Sequence, residues 1–209
     1  MFDGDEDSEI IALDGAELRY WPHFYSASEA ERLFRLIRAE TPWEQSRIRI
    51  AGREIAIPRL NAWYGDKGAD YSYSGVRLAT QPWTETLHRV KSAVENVTAT
   101  SFNSALLNLY HNHSDSVDWH SDDEPELGVK PVVASLSLGE ARWFEMRRRD
   151  NHRRRFKLLL SEGSLLLMCG DFQGLWQHRV GKEKAPCGER INITFRTVHN
   201  GREKYRQTD

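Results

Sequence analysis

From residue 101 onward the chain is divided into short runs that are apolar throughout or alternate apolar with polar: 102–110, 131–138, 142–147, 156–160, 164–168, 175–180 and 190–198. Turn residues separate them. Runs of this length and period predict strands rather than helices. So many strands in succession must stack as two sheets, or close into a barrel, to bury their apolar faces. The first half reads differently. Ser26-Ala27-Ser28-Glu29 has the form of a capping box. Ala30, Leu33, Phe34 and Ile37 follow at helical spacing, and Pro42 ends the segment. A second helix is expected from Pro82 to about Val97, with Leu87, Val90, Val94 and Val97 on one face. Between them, Ile48, Ile50, Ile55 and Ile57 alternate across Gly52 and suggest a hairpin, while residues 65–75, with three glycines, read as a loop. The expected fold class is α+β and mainly β: a double-stranded β-helix, or jelly-roll, core backed by N-terminal helices. Residues 1–9 are expected to be a disordered acidic tail. Residues 10–209 are expected to be a single domain whose core lies at about 101–198.

A chain of 209 residues can bury a sizeable core. No apolar run is long enough to span a membrane. The acidic start (Asp3, Asp5, Glu6, Asp7, Glu9) is unlike a signal peptide, and Cys169 and Cys187 make no disulfide framework. An intracellular monomer is expected, cytoplasmic or, in a eukaryote, nuclear. The formal net charge of -2 says nothing for nucleic acid. Its distribution says more: Arg147, Arg148, Arg149, Arg153, Arg154 and Arg155 crowd one segment, with Lys157 just after. Such a block is either a solvated hairpin tip or a phosphate contact.

The polar residues within the β half carry the chemistry. In His120-Ser121-Asp122 a strand would project His120 and Asp122 to the same side. Two histidines and a carboxylate can hold one face of an iron(II) ion and leave the other positions open. His178, in the β-like run 175–180, is the best third ligand. His23 and His88 lie in the helical half, His152 among arginines, His199 near the end, and His111 and His113 at the start of a polar loop. The same three ligands would also suit zinc. In Arg190–Arg196 the alternation is strict: Arg190, Asn192, Thr194 and Arg196 share one face, and Ile191, Ile193 and Phe195 the other. The polar face either meets solvent or lines an interior that holds a charged ligand. Two arginines beside a metal with open positions suit a dicarboxylate such as 2-oxoglutarate. Asn108 and Tyr110, two apart in another strand, are placed to add hydrogen bonds.

Taken together, these stretches resemble the AlkB family of iron(II)/2-oxoglutarate nucleic-acid demethylases. The matching segments are Pro58 to Gly65 (PRLNAWYG), Asn108-Leu109-Tyr110, Asp115 to Pro125 (DSVDWHSDDEP), Ala134 to Gly139 (ASLSLG) and Arg190 to Arg196 (RINITFR). The resemblance is greatest to a homologue that prefers single-stranded substrates. It implies that His120, Asp122 and His178 are the catalytic iron ligands, with iron(II) as cofactor and 2-oxoglutarate and O2 as co-substrates. It assigns Asn108, Leu109 and Tyr110, together with Arg190, Asn192, Thr194 and Arg196, to the 2-oxoglutarate site. Arg190 would take the far carboxylate and Arg196 the end near the metal. Leu106 would sit near the metal. Asp123 would read the amino group of the damaged base, Tyr71 and Tyr73 would be lid tyrosines, Trp43 and Trp63 pocket or lid aromatics, and Lys157 a basic substrate contact. The implied activity is oxidative demethylation of 1-methyladenine and 3-methylcytosine in single-stranded DNA or RNA. It would be coupled to 2-oxoglutarate decarboxylation, release formaldehyde and succinate, and serve alkylation-damage repair. The alternative is an oxygenase of the same chemistry acting on a protein or lipid.

Overall fold

The computed structural model describes residues 8–50, 53–69, 72–73, 76–77 and 80–199. The chain begins with a hairpin, β1 (Glu9–Leu13) and β2 (Ala16–Trp21), then helix α1 (Ala27–Glu40). Strands β3 (Arg47–Ile50), β4 (Arg53–Ala56), β5 (Leu60–Gly65), β6 (Ser72–Tyr73), β7 (Val76–Arg77) and β8 (Thr80–Gln81) lead to helix α2 (Glu85–Thr98). The β half then supplies β9 (Ser104–Tyr110), β10 (Val117–His120), β11 (Val133–Gly139), β12 (Arg142–Arg148) and β13 (Arg155–Leu160). It closes with β14 (Leu165–Gly170), the single turn α3 (Phe172–Leu175), β15 (Trp176–Val180) and β16 (Arg190–Arg196).

Two sheets form the core, as the run of short strands requires. The larger has eight strands in the order β1-β2-β14-β11-β16-β9-β5-β8, and the smaller has four in the order β10-β15-β12-β13. Strand β16 lies between β11 and β9 in antiparallel register, with Asn192 opposite Ser137 on one side and Asn108 on the other. Central strands bury both faces, and β16 is buried at every residue. Ile191, Ile193 and Phe195 join Leu107, Leu109 and Leu136 beneath the helices, where Leu33, Ile37, Leu87, Val90 and Val94 cover them. Burying each such side chain fully contributes about 1.5–3 kcal/mol. The opposite face looks into the space between the sheets, so the arginine face of β16 meets a cavity rather than solvent.

Capping follows the sequence. Ser26 Oγ accepts the Glu29 N–H at 3.3 Å. The Glu29 carboxylate turns to Arg32 instead of completing the box. The second helix starts three residues later than expected, because Thr84 takes the cap and accepts the Leu87 N–H at 3.1 Å. Gly139 ends β11 at φ +80°, where a Cβ would lie 2.5 Å from the Glu189 carbonyl. Only glycine allows that close approach, which seats Arg190 opposite it.

Two expectations need correction. The core sheets are not confined to residues after 101: β1, β2 and β5 extend the larger sheet, with β2 paired to β14 and β5 to β9. Glu9 is part of strand β1, paired with Tyr20, and not of a tail; residues 1–7 of that tail lie outside the described residues. The expected hairpin is present as β3–β4, which pairs Ile48 with Ile55, and its turn at Gly52 lies outside the described residues. Among the described residues no helix is long and apolar enough to cross a membrane.

Candidate active site

The register of the smaller sheet brings the two histidines together. Strands β10 and β15 pair with His120 opposite His178, and the ring centroids lie 4.3 Å apart. Asp122 joins them, so that one ligand atom from each of the three side chains lies within 4.8 Å of the others. Asp122 does not arrive by strand alternation, because β10 ends at His120. It is positioned by two contacts made after the strand ends. The Asp122 N–H donates to Gln173 Oε1 at 2.9 Å, and its Oδ1 accepts from Arg196 Nη2 at 2.7 Å, both side chains being buried. Burial by itself would raise the Asp122 carboxyl, but Arg196, and then His178 and His120, outweigh it and hold it below the usual carboxylate range.

Both imidazoles are neutral. Burial, reinforced for His178 by the neighbouring His120, lowers His178 to about 3, and burial likewise lowers His120. The Nδ1 of His120 faces the Asp118 carbonyl at 2.8 Å, which fixes the tautomer with its lone pair on Nε2. The His178 ring packs against Phe144 and Phe172, with centroids at 5.1 and 5.9 Å. A buried carboxylate and two neutral imidazoles converging on one point form a donor set that fits a divalent first-row metal.

Arg190, Asn192, Thr194 and Arg196 line the same cavity, with Leu106, Asn108 and Tyr110 of β9. The Arg190 guanidinium is fully buried and donates from Nη2 to Ser137 Oγ at 2.9 Å. Its Nε and Nη1 are buried with no partner. Burial lowers Arg190 from its ordinary value to about 10, so it remains a cation at neutral pH. It lies over the Tyr110 ring at 5.3 Å, with Arg142 at 5.6 Å from the same ring. A buried cation with two open donors and no counter-charge fits a ligand carboxylate. Asn192 and Thr194 brace the wall: Asn192 Nδ2 donates to Ser135 Oγ at 2.7 Å, and Thr194 Oγ1 donates to Asn192 Oδ1 at 2.8 Å.

Leu109 points away from the cavity into the core beneath the helices, on the opposite face of β9 from Asn108 and Tyr110. Trp43 packs partly buried against that same core and donates from Nε1 to the Arg38 carbonyl. Trp63 is buried with Ala69, Leu127 and Val198 behind Leu106, and its Nε1 donates to the Ala69 carbonyl. Lys157 stands on β13, opposite Glu145, on the outer face of the smaller sheet. Asp123 is half-exposed and its carboxylate is held by Arg149 at 2.6 Å. Tyr71 lies outside the described residues; Tyr73 belongs to β6, and its side chain is likewise outside them.

Several cavity residues carry roles that their sequence context does not announce. Arg59 is buried, donates from Nε to Asn108 Oδ1 at 2.8 Å and from Nη1 to the Ser116 carbonyl at 3.1 Å, and so orients the Asn108 amide. Ser135 and Ser137 share the cavity face of β11, and the alternation in Ala134-Ser135-Leu136-Ser137-Leu138 is the signal that could have found them. Gln173 carries no sequence signal, since only the fold brings α3 under the 121–124 loop.

The chain has relatives among known proteins. The 2OG-Fe(II) oxygenase superfamily matches residues 17–196. "DNA oxidative demethylase ALKBH2" of Mus musculus is 33% identical over 184 residues, covering 83% of this chain and 77% of the relative. The chain belongs to the AlkB family. "Alpha-ketoglutarate-dependent dioxygenase alkB homolog 3" is 44% identical in Bos taurus, over 85% of this chain, and 42% identical in Homo sapiens, over 86%. The chain spans 65% of the length of each of those two relatives. The solved structure described as "The structure of OsALKBH1" superposes with a TM-score of 0.62 at 18% identity, covering 90% of this chain and all of that one, and shows the shared fold. The iron and 2-oxoglutarate that the AlkB family implies fit two donor sets, the His120–Asp122–His178 triad and the Arg190 guanidinium.

Proposed function

We propose that the protein demethylates N-alkylated bases, 1-methyladenine and 3-methylcytosine, in single-stranded DNA or RNA, using iron(II), 2-oxoglutarate and O2 and releasing succinate and formaldehyde. One observation carries the reading: a buried arginine with two open donors shares a cavity with a converged His–Asp–His triad. The names borne by its relatives, an alpha-ketoglutarate-dependent dioxygenase and a DNA oxidative demethylase, support both the co-substrate and the substrate class.

When bound, iron(II) and 2-oxoglutarate with O2 supply the two-electron oxidation that hydroxylates a methyl group. The residues of the chain do the rest. His120, Asp122 and His178 would hold the metal on one side and keep its other positions open. Arg190, fixed by Ser137 and the Tyr110 ring, would take the distal carboxylate of the co-substrate. Arg196 keeps Asp122 ionised and aimed inward. Phe144, Met168 and Val180 line the cavity with apolar surface, which excludes water from the oxidation. Asp123, at the loop after the ligand, offers a carboxylate to the positive charge of either methylated base. Methyl groups on the pairing edge cannot be reached inside a duplex, which favours single-stranded substrate.

The test is mass spectrometry of a single-stranded oligonucleotide carrying one 1-methyladenine, incubated with protein, iron(II), 2-oxoglutarate and ascorbate in air. Loss of one methyl that depends on both iron and 2-oxoglutarate is expected. Retention of the methyl while 2-oxoglutarate still becomes succinate would overturn the substrate and keep the oxygenase.

A further inference from the structure

The outer face of the smaller sheet presents a set of side chains that the cavity does not use. Strand alternation sends Phe144, Met146 and His178 inward, so Glu145, Arg147, Gln177 and Arg179 face outward. The register aligns them across the strands: Gln177–Arg147–Arg155 form one row, and Arg179–Glu145–Lys157 the next. Trp119, beside the ligand His120 but facing outward, ends the second row. The Arg147 and Arg179 guanidiniums lie 4.2 and 4.6 Å from its ring centre. Farther along, the half-exposed Trp143 has the Lys157 ammonium 4.5 Å from its ring.

The charge of this face is one-sided. Arg147, Arg155, Arg179 and Lys157 oppose one carboxylate in these rows, Glu145, and Glu145 is already engaged by Arg179 at 2.6 Å. Its two tryptophans are stiff, flat and flanked by cations. Cationic grooves with aromatic platforms bind single-stranded nucleic acid: the cations pair with phosphates and the rings stack on bases of any sequence. The face is also continuous with the cavity mouth. Arg147 is two residues from Arg149, whose guanidinium holds Asp123 next to the metal ligand Asp122. From β10 to β13 the sheet extends three strand spacings, roughly 14 Å.

We propose that this outer face is a second nucleic-acid contact, a sequence-independent platform for the single strand running away from the base held in the cavity. The inference rests on the nucleic-acid reading of that cavity. It explains why the arginine-rich segment and Lys157 lie off the cavity wall. It also predicts that chain length beyond the reacting base contributes to affinity.

The experiment uses the iron(II)-loaded protein and the double variant Arg147→Glu/Lys157→Glu, with Arg147→Lys/Lys157→Arg as the charge-retaining control. Binding of a fluorescein-labelled, unmodified oligothymidylate of roughly twenty nucleotides is followed by polarisation across a salt series. The charge reversal is expected to weaken binding about tenfold and to flatten the slope of log affinity against log salt by about 0.7 for each phosphate that is no longer neutralised. The control should bind like wild type. Demethylation of a substrate of about four nucleotides, too short to cross the sheet, should keep its kcat and KM. Unchanged binding of the long strand in the charge-reversed variant would overturn the platform, as would failure of the wild type to bind that strand. If the double variant does not fold, Lys157→Glu alone, at an exposed edge position, is read in the same way with a smaller shift. If the long strand binds in this charge-dependent manner but no methyl is lost from the short one, the platform stands and the demethylase reading falls.

Discussion

The interior of the cavity and its mouth are built by different rules. The wall supplied by the larger sheet sits on strands whose two faces are both buried, β9 and β16 among them, and Asp122 is fixed by a partner on β16. Arg190 is set by Ser137, Asn192 by Ser135, and Asp122 by Arg196, all through hydrogen bonds between buried side chains. The mouth carries exposed pairs such as Asp123 with Arg149. Interior positions cannot shift without unpairing a buried charge, whereas mouth positions can shift at little cost. The first region should therefore govern whether the reaction runs, and the second which substrate it accepts.

The strongest way to break that division is Asp122→Ala. Turnover should vanish, and the fold should lose about 3–5 kcal/mol because Arg196 is left buried without its carboxylate. Thermal unfolding and succinate release check both effects; residual turnover would remove Asp122 from the metal site.

Acidifying the metal-free protein comes next. The folded His178 titrates at about 3, against an unfolded value near 6.5. Protonation thus favours the unfolded chain, and stability falls as the pH drops from 6.5 towards 3, by up to roughly 5 kcal/mol. The depressed Asp122 acts in the same direction in its own lower range, because its stabilisation is lost as pH falls through its folded value. Denaturant midpoints across that pH range measure the effect, and bound metal should reduce it.

A smaller and more discriminating change is Arg190→Met. The requirement for 2-oxoglutarate should rise about thirtyfold, equivalent to about 2 kcal/mol, with metal affinity kept. The unliganded protein should become more stable by up to about 3 kcal/mol. Burial lowers the Arg190 pKa to about 10, a cost carried by the empty fold at every pH below that value. A variant that is less stable when empty and binds the co-substrate normally would refute the pairing.

The smallest effect should come from Trp63→Phe, which removes the hydrogen bond to Ala69. A loss of about 1 kcal/mol of stability with unchanged KM for the oligonucleotide would place this residue in the scaffold. A raised KM would return it to the substrate site.

The same contrast explains how much is legible in the sequence. The period-two pattern of Arg190–Arg196 names its cavity face correctly, because alternation survives whatever the strand pairs with. His120 and His178 can be paired because both lie in strands. Asp122 is legible by type and spacing although the strand ends before it; a bend and two side-chain contacts perform what alternation was expected to do. Trp63 shows the limit of reading by residue type. An aromatic suited to stacking on a base is equally suited to a core, and only the packing of β5 against Leu106, Leu127 and Val198 decides between them. Lys157 is recognisable as basic, but its face depends on the register of β12 with β13. The β1–β2 hairpin is hidden in the sequence because its partner, β14, is distant along the chain.

The most direct test of the central claim is calorimetric titration of 2-oxoglutarate into the iron(II)-loaded protein without oxygen, beside the Arg190→Met variant and the metal-free protein. The account predicts one site per chain, tight only with the metal and Arg190 both present, and weakened when either is removed. Binding of equal strength in all three would contradict it, because the buried cation and the triad would then not be two halves of one co-substrate site.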